Sequence, residues 1–123
     1  MRRHFFELAF TQAVKEVQSR RGSRETYARA ADPGDAPADL GLRPLEVSFL
    51  SLRDSFYLAS VSETGWPYIQ HRGGPPGFLR VLDARTIGWA EFRGNRQYIT
   101  TGNVSTNDRV ALVFMAYATR RRL

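Results

Sequence analysis

The sequence contains no cysteine. Disulfide bonds, thiolate metal ligands and thiol nucleophiles are therefore excluded. Histidine is nearly as scarce, because only His4 and His71 are present and they have no paired-ligand spacing. We therefore predict no metal site. No Ser/His/Asp constellation and no pair of carboxylates stands out for acid–base work, so the catalytic residues are left unassigned.

Long apolar runs are also missing, since nothing approaches the roughly 18 apolar residues of a membrane span. The N-terminal segment MRRHFFELAFTQAVKEVQ superficially resembles a signal peptide. However, polar residues interrupt it and no small-residue cleavage site follows. We interpret it as an amphipathic helix of a cytoplasmic protein that does not associate with membranes.

Lysine is almost absent, because only Lys15 among the 18 basic residues is a lysine, and the net charge is +6. The arginines are spread along the chain, apart from the cluster Arg120-Arg121-Arg122. The simplest interpretation is a solvated surface, and the alternative is that some arginines bind anionic ligands. A basic β-barrel that binds nucleic acid through arginines and exposed aromatic residues stays open as a less favoured hypothesis.

The apolar residues that are present first follow a helical period. They recur at Phe6, Phe10, Ala13, Val14 and Val17, which predicts one amphipathic helix over residues 4–20. Residues 30–41 are rich in Ala, Asp, Pro and Gly and are predicted to form an exposed connector. A second helix is predicted to start at Pro44, with an apolar face formed by Leu45, Phe49 and Leu52.

The period then changes to two, which is typical of strands. We predict a first hairpin from residues 56–61 and 66–72, and a second from residues 78–82 and 86–92. A short helix is predicted over residues 95–103 and a final strand over residues 109–117. A rigid glycine- and proline-rich loop, Gly73–Gly77, separates the hairpins. Short antiparallel strands with small helices indicate a barrel-like β domain with helical additions. We divide the chain into an N-terminal helix and connector, 1–41, and a barrel domain, 42–123.

The segment Glu91-Phe92-Arg93-Gly94-Asn95-Arg96-Gln97 lies where the sequence predicts that a strand turns into a helix. Backbone N–H groups at a helix start lack internal partners and favour anions. Arg96 adds a charge and a planar donor fork suited to phosphate, and Arg72 could approach the same anion. We interpret the segment as a phosphate-binding site for a nucleotide-type cofactor. The competing interpretation is that Asn95 only caps a helix and that Arg96 is solvated.

From about Asp54 to Tyr117 the chain resembles the pyridoxamine 5'-phosphate oxidase-like, FMN-binding split-barrel superfamily. The resemblance is carried by QHRGGPPGFL and EFRGNRQYI, in this order and at this separation. These motifs are similar to those of one branch of flavin-nucleotide-binding proteins. The resemblance implies a split β-barrel, mainly β with N-terminal helices packed outside, that forms a homodimer and binds FMN between its subunits.

The resemblance also implies which residues bind the cofactor. The strand after the first turn would line the flavin, and the following strand and helix start would hold the ring edge and the phosphate. The residues at these positions are Gln70, His71, Arg72, Glu91, Phe92, Asn95, Arg96 and Gln97. The function implied is that of a flavin-dependent oxidoreductase acting on an unidentified small molecule.

Two departures from the family pattern modify this expectation. The oxidases usually have a basic residue where this chain has Gln97, which predicts a weaker hold on the phosphate. Their substrate-binding residues lie mostly in a C-terminal stretch absent here, and relatives usually continue past the final RRRL. We therefore do not expect oxidation of vitamin B6 phosphates, and we expect a barrel that is shortened or completed by the partner subunit. A flavin carrier without catalysis is the main alternative.

Overall fold

The computed structural model describes residues 2–31 and 41–123, and the chain forms two compact units, Met1–Leu42 and Arg43–Leu123. Most of the connector predicted over residues 30–41 lies outside the described residues. Within them, no helix is both long and apolar enough to cross a membrane.

The N-terminal unit contains three short helices: α1 (Arg2–Ala9), α2 (Gln12–Arg20) and α3 (Arg24–Ala31). The prediction of one helix over residues 4–20 is therefore wrong. Thr11 has an extended backbone, with ψ 167°, and its hydroxyl accepts a hydrogen bond from the backbone N–H of Val14 at 3.4 Å. A threonine that caps a new helix in this way interrupts the first one. The helix α3 was not predicted.

Aromatic rings hold this unit together. Phe10 stacks on Phe6 with ring centroids 4.8 Å apart, and its ring meets that of Tyr27 edge-on at 5.6 Å. The spacing of four residues between Phe6 and Phe10 predicts that both lie on one helix face. Their rings do meet although the helix ends before Thr11, and α3 contributes the ring of Tyr27.

The second unit begins with a helix and continues mainly as strands. Its helices are α4 (Pro44–Ser51) and α5 (Ile99–Thr106). Its strands are β1 (Ser55–Val61), β2 (Pro67–Gly73), β3 (Leu79–Asp83), β4 (Thr86–Trp89), β5 (Ala111–Val113), β6 (Met115–Ala116) and β7 (Arg121–Arg122). The helix start at Pro44 and the first hairpin agree with the prediction. The second hairpin forms as predicted around residues 83–85, but its second strand was predicted to reach Phe92 and ends at Trp89. The final strand predicted over 109–117 is instead divided into β5 and β6, because buried Phe114 separates them and pairs its backbone with Leu123.

The strands form a mixed helix-and-sheet domain. The sheets have the orders β2-β1-β5, β3-β4 and β6-β7, and all pairs in them are antiparallel. Over residues 2–31 and 41–123 these sheets remain separate and do not close into one barrel. The split barrel, and helices packed on its outside, thus remain predictions.

The apolar core lies in the second unit, on one face of β1. Phe56 and Leu58 point inward from β1 and are joined by Leu50, Leu79, Phe114 and Ala116. The apolar face predicted for α4 is partly wrong, because Leu45 and Leu52 are 77% and 67% exposed whereas Leu50 is 1% exposed. Phe49 is half-buried beneath the guanidinium of Arg53, at 4.5 Å.

Candidate functional site: a cleft beside strand β2

A cleft of about 180 Å³ lies between the end of β2, the end of β4 and the first turn of α5. Seven of the eight residues predicted to bind a cofactor line it: Gln70, His71, Arg72, Glu91, Phe92, Asn95 and Arg96. Gln97 does not. The structure therefore brings residues from two distant segments to one place, whereas their role in binding a cofactor stays a prediction.

Strand β2 positions two polar side chains on the inward face of its sheet. Gln70 pairs with Leu58 and Arg72 with Phe56, so both polar residues share a face with core residues. Burial along β2 alternates accordingly, with Gln70 and Arg72 partly buried and their neighbours exposed. A polar pair on an inward face needs hydrogen-bond partners, because an unpaired buried polar group is costly.

A chain of hydrogen bonds supplies most of these partners. The Thr100 hydroxyl donates to Gln70 Oε1 at 2.7 Å, and Arg72 Nη2 donates to the same oxygen at 3.4 Å. Arg72 Nη1 lies 2.9 Å from both carboxylate oxygens of Glu91. These contacts connect β2 with the segment after β4 and with the first turn of α5, where Thr100 is buried.

Arg72 therefore does not present a free charge. Its side chain is only 12% exposed, and Glu91, which is 55% exposed, neutralises it. Among the described residues, Arg72 Nε has no hydrogen-bond partner although it is buried. Leaving such a donor unsatisfied costs on the order of 1–3 kcal/mol.

The segment between β4 and α5 does not form the helix start that was predicted to bind the phosphate. The helix begins at Ile99 and not at Asn95, and Asn95 does not cap it. Asn95 Oδ1 instead accepts a hydrogen bond from the backbone N–H of Gln97 at 3.2 Å, which forms a local turn. The amides of residues 96 and 97 are therefore not the free N–H groups of a helix start.

This turn has an uncommon backbone. Gly94, Arg96 and Tyr98 have positive φ angles of 48°, 61° and 54°. Left-handed backbone is rare for bulky residues and costs on the order of 1–3 kcal/mol per residue, and it concentrates at functional sites. Glycine relieves this cost at position 94, but Arg96 and Tyr98 bear it.

Two arginines give this side of the cleft its charge. Arg93 and Arg96 line the cleft and are exposed, and their side chains make no ion pair or hydrogen bond within the described part of the chain. Since Glu91 offsets the charge of Arg72, the charges of Arg93 and Arg96 are not compensated by any residue that the structure describes. The turn around residues 93–96 is therefore the part of the cleft that attracts anions.

Aromatic rings form the apolar wall of the cleft. Phe78 and Trp89 line it and also contact the core residue Phe56, with ring centroids 6.0 and 5.0 Å away. Phe92 lies 6.3 Å from Phe78 and is 53% exposed. The wall is thus anchored in the core and offers flat surface to a ring system.

His71 has different surroundings from its two neighbours in sequence. It borders the cleft, but its ring meets the ring of its cross-strand partner Tyr57 edge-on at 5.4 Å. No group of three or more histidines and acidic residues that could hold a metal ion occurs among the described residues.

The structure adds nine lining residues that the sequence did not assign to the cofactor site, among them Phe78, Trp89, Arg93 and Thr100. A signal for Thr100 was available in part, because Gln70 and Arg72 two residues apart on an inward strand face require a partner from elsewhere. Its identity could not be read from spacing, since Thr100 lies 30 residues from Gln70.

Comparison with known proteins places this geometry in a family. Residues 42–123 match the family model described as pyridoxamine 5'-phosphate oxidase, which is more than half of the chain. The chain belongs to the pyridoxamine 5'-phosphate oxidase family. Neither the curated proteins nor the solved structures yield a match. The family match includes the whole cleft and begins one residue before the second unit.

Proposed function

We propose that this chain is an FMN-binding protein and acts as a flavin-dependent oxidoreductase on a small molecule. Members of the pyridoxamine 5'-phosphate oxidase family typically bind FMN, which is the first support. The second is the composition of the cleft, which combines an aromatic wall, a hydrogen-bonding strand face and two uncompensated arginines. A flavin phosphate offers a flat ring, ring acceptors and a dianion.

The single observation that carries the proposal is that Arg93 and Arg96, which have no ion pair or side-chain hydrogen bond in the described part of the chain, share one cleft with the aromatic wall of Phe78, Trp89 and Phe92. A flat ring that carries a phosphate matches this combination. Bound FMN would supply electron transfer to or from the substrate, while these residues hold and orient it.

The proposal includes a second copy of the chain. Pockets for ligands of drug size usually have volumes of about 300–1,000 Å³, whereas this cleft has about 180 Å³. One chain therefore offers only part of a site, and we propose that a homodimer completes it. The cytoplasmic location expected from the N-terminal segment stays a prediction.

An absorption spectrum of the purified protein is the first test. We expect a flavin band that is released on denaturation, or that forms when FMN is added to colourless protein. A protein that stays colourless and leaves the fluorescence of added FMN unchanged would contradict the proposal.

Arg96→Ala tests whether the turn around residues 93–96 binds the phosphate. Loss of one charge-assisted hydrogen bond, worth about 1.5–3 kcal/mol, should weaken FMN binding roughly 10- to 100-fold. Arg85→Ala is the matched control, since it removes the same charge from the exposed β3–β4 turn, outside the cleft. Equal FMN affinity of the two variants would remove Arg96 from the site.

Rapid mixing with NADH or NADPH separates an oxidoreductase from a carrier. Bleaching of the bound flavin supports the oxidoreductase, whereas a flavin that neither nicotinamide reduces favours the carrier.

The nucleic-acid hypothesis predicts oligonucleotide binding that falls steeply as salt is raised. Absent or salt-insensitive binding dismisses it.

A further inference from the structure

The residues that line the cleft differ in electrostatic character. Arg72 is paired with Glu91, so this pair carries no net charge. Arg93 and Arg96 are exposed and make no side-chain ion pair or hydrogen bond among the described residues. A phosphate is therefore attracted more strongly by Arg93 and Arg96 than by the neutral pair. The Arg72–Glu91 pair and the adjacent Gln70 are left for the neutral part of a ligand.

The orientation of the Gln70 amide follows from its neighbours. An arginine N–H can only donate, so the Gln70 atom that faces Arg72 Nη2 must be the carbonyl oxygen. The Thr100 hydroxyl donates to the same oxygen at 2.7 Å. Both donors therefore fix the amide with its oxygen inward.

The amide nitrogen of Gln70 is consequently the group left to a ligand. Gln70 lines the cleft, and its Nε2 forms no hydrogen bond within the described ranges. Nε2 is also not among the buried polar atoms that lack a partner, so it reaches solvent. A fixed NH₂ group at this place can donate a hydrogen bond to an acceptor of a ligand, such as a ring carbonyl oxygen or an unprotonated ring nitrogen.

We propose that Thr100 and Arg72 are positioning residues that fix Gln70 as a hydrogen-bond donor to the acceptor edge of the flavin ring. Arg93 and Arg96 hold the phosphate. The inference rests on the proposed FMN binding and adds which residues fix the donor that faces the ring. It also replaces the expectation that Arg72 and Arg96 share one phosphate.

Thr100→Val tests the positioning role, with riboflavin and FMN as two probes that differ only in the phosphate. Loss of the hydroxyl frees the amide to rotate, so we expect affinity for both probes to fall about fivefold, as for one neutral hydrogen bond. Thr100→Ser keeps the hydroxyl and should restore affinity for both. Thr106→Val, on the same helix but outside the cleft, is the control and should change neither.

Gln70→Glu provides a second test at a half-buried position, should Thr100→Val fold poorly. It replaces the NH₂ group with a carboxylate oxygen at nearly constant size, so riboflavin should bind about tenfold more weakly or worse. FMN should lose at least as much affinity, because the added negative charge also repels its phosphate. Arg96→Ala should instead weaken FMN binding and leave riboflavin binding unchanged. A general loss of folded protein would lower the apparent affinities for riboflavin and FMN equally and would leave their ratio unchanged. The absorption spectrum of the bound flavin ring should shift only in the Thr100→Val and Gln70→Glu variants.

The outcomes distinguish failure of FMN binding from failure of the role assigned to Gln70. If the unaltered protein binds neither flavin, the proposed function fails and this inference fails with it. If it binds FMN but Gln70→Glu leaves riboflavin affinity unchanged, the function stands and the inference is overturned. A loss of FMN affinity alone in Gln70→Glu would also overturn it, because the added charge repels the phosphate whereas the unchanged riboflavin affinity shows that Gln70 does not donate to the ring.

Discussion

The two units of this chain are built from similar proportions of apolar residues but use them differently. In the unit Arg43–Leu123, six apolar side chains are buried, and Phe56 is only 1% exposed. In the described part of Met1–Leu42, the buried side chain of α1–α3 is the polar Gln18, which accepts a hydrogen bond from Arg24 at 2.9 Å. Phe5, Leu8 and Val17 there are largely exposed.

The difference shows what a sheet adds to a small domain. Three short helices fix few non-local contacts, so their apolar residues meet mainly sequence neighbours. The sheet β2-β1-β5 instead joins segments that are far apart in the sequence, such as Leu58 with Gln70 and with Leu112. Burial and the candidate site both occur in the unit where such non-local pairing exists. Both tryptophans, Trp66 and Trp89, lie in this unit, so their fluorescence reports its unfolding.

The largest expected effect is that of Phe56→Ala. Phe56 contacts the rings of Phe78, Trp89 and Phe114, so its removal should cost about 3–5 kcal/mol of unfolding free energy. Urea unfolding followed by tryptophan fluorescence measures this. Phe10→Ala, whose ring contacts lie within α1–α3, should shift the same transition by less than about 0.5 kcal/mol. Equal shifts would erase the contrast between the units.

Gly74→Ala should have the next largest effect. A Cβ at position 74 would lie 2.7 Å from Cγ of Phe78, a ring that forms both core and cleft wall. Displacing this ring should cost about 1–3 kcal/mol. Gly102→Ala in α5 is the control, because no atom lies within 4 Å and alanine favours a helix by about 0.5–1 kcal/mol. The two substitutions should therefore move the urea midpoint in opposite directions.

A smaller effect is expected from the left-handed backbone at Arg96, where φ is 61°. Arg96→Gly should be about 0.5–1 kcal/mol more stable than Arg96→Ala, since glycine relieves roughly 1–2 kcal/mol of backbone strain and loses up to about 1 kcal/mol to chain entropy. Thermal unfolding of the two variants measures the difference. Both should bind FMN equally weakly, so stability and binding would separate at this position. A less stable Arg96→Gly variant would contradict the backbone account.

The smallest effect concerns pH. The backbone N–H of Arg85 donates to Asp83 at 2.7 Å, and this bond lowers the pKa of the Asp83 carboxyl below its usual value of 3.8. A lowered folded-state pKa stabilises the fold above the unfolded-state pKa, and this stability is lost as pH falls through the folded-state value. Asp83→Asn should therefore remove the part of the stability loss that this carboxylate causes as pH falls below about 4. Urea unfolding at neutral and at acid pH measures the profile, and an unchanged profile in the variant would contradict this account.

Much of the second unit could be predicted from local patterns. The period-two runs and the turn residues around Gly65 and residues 83–85 indicated both hairpins, because side-chain alternation and turn chemistry are local properties. The start of α4 at Pro44 was readable for the same reason. The break at Thr11 and the late start of α5 were not, since each depends on whether one side chain caps a helix or forms a local turn.

The candidate site shows the same division at the level of single residues. The sequence was enough to show that the chain lacks thiol chemistry, that arginines flank residues 94 and 95, and that Gln70 and Arg72 alternate with other residues along a predicted strand. The pairing of Arg72 with Glu91 and of Gln70 with Thr100 became visible in the folded chain alone. The physical reason is that charge and alternation are properties of a segment, whereas the partner of a buried polar group depends on which distant segments the fold brings together.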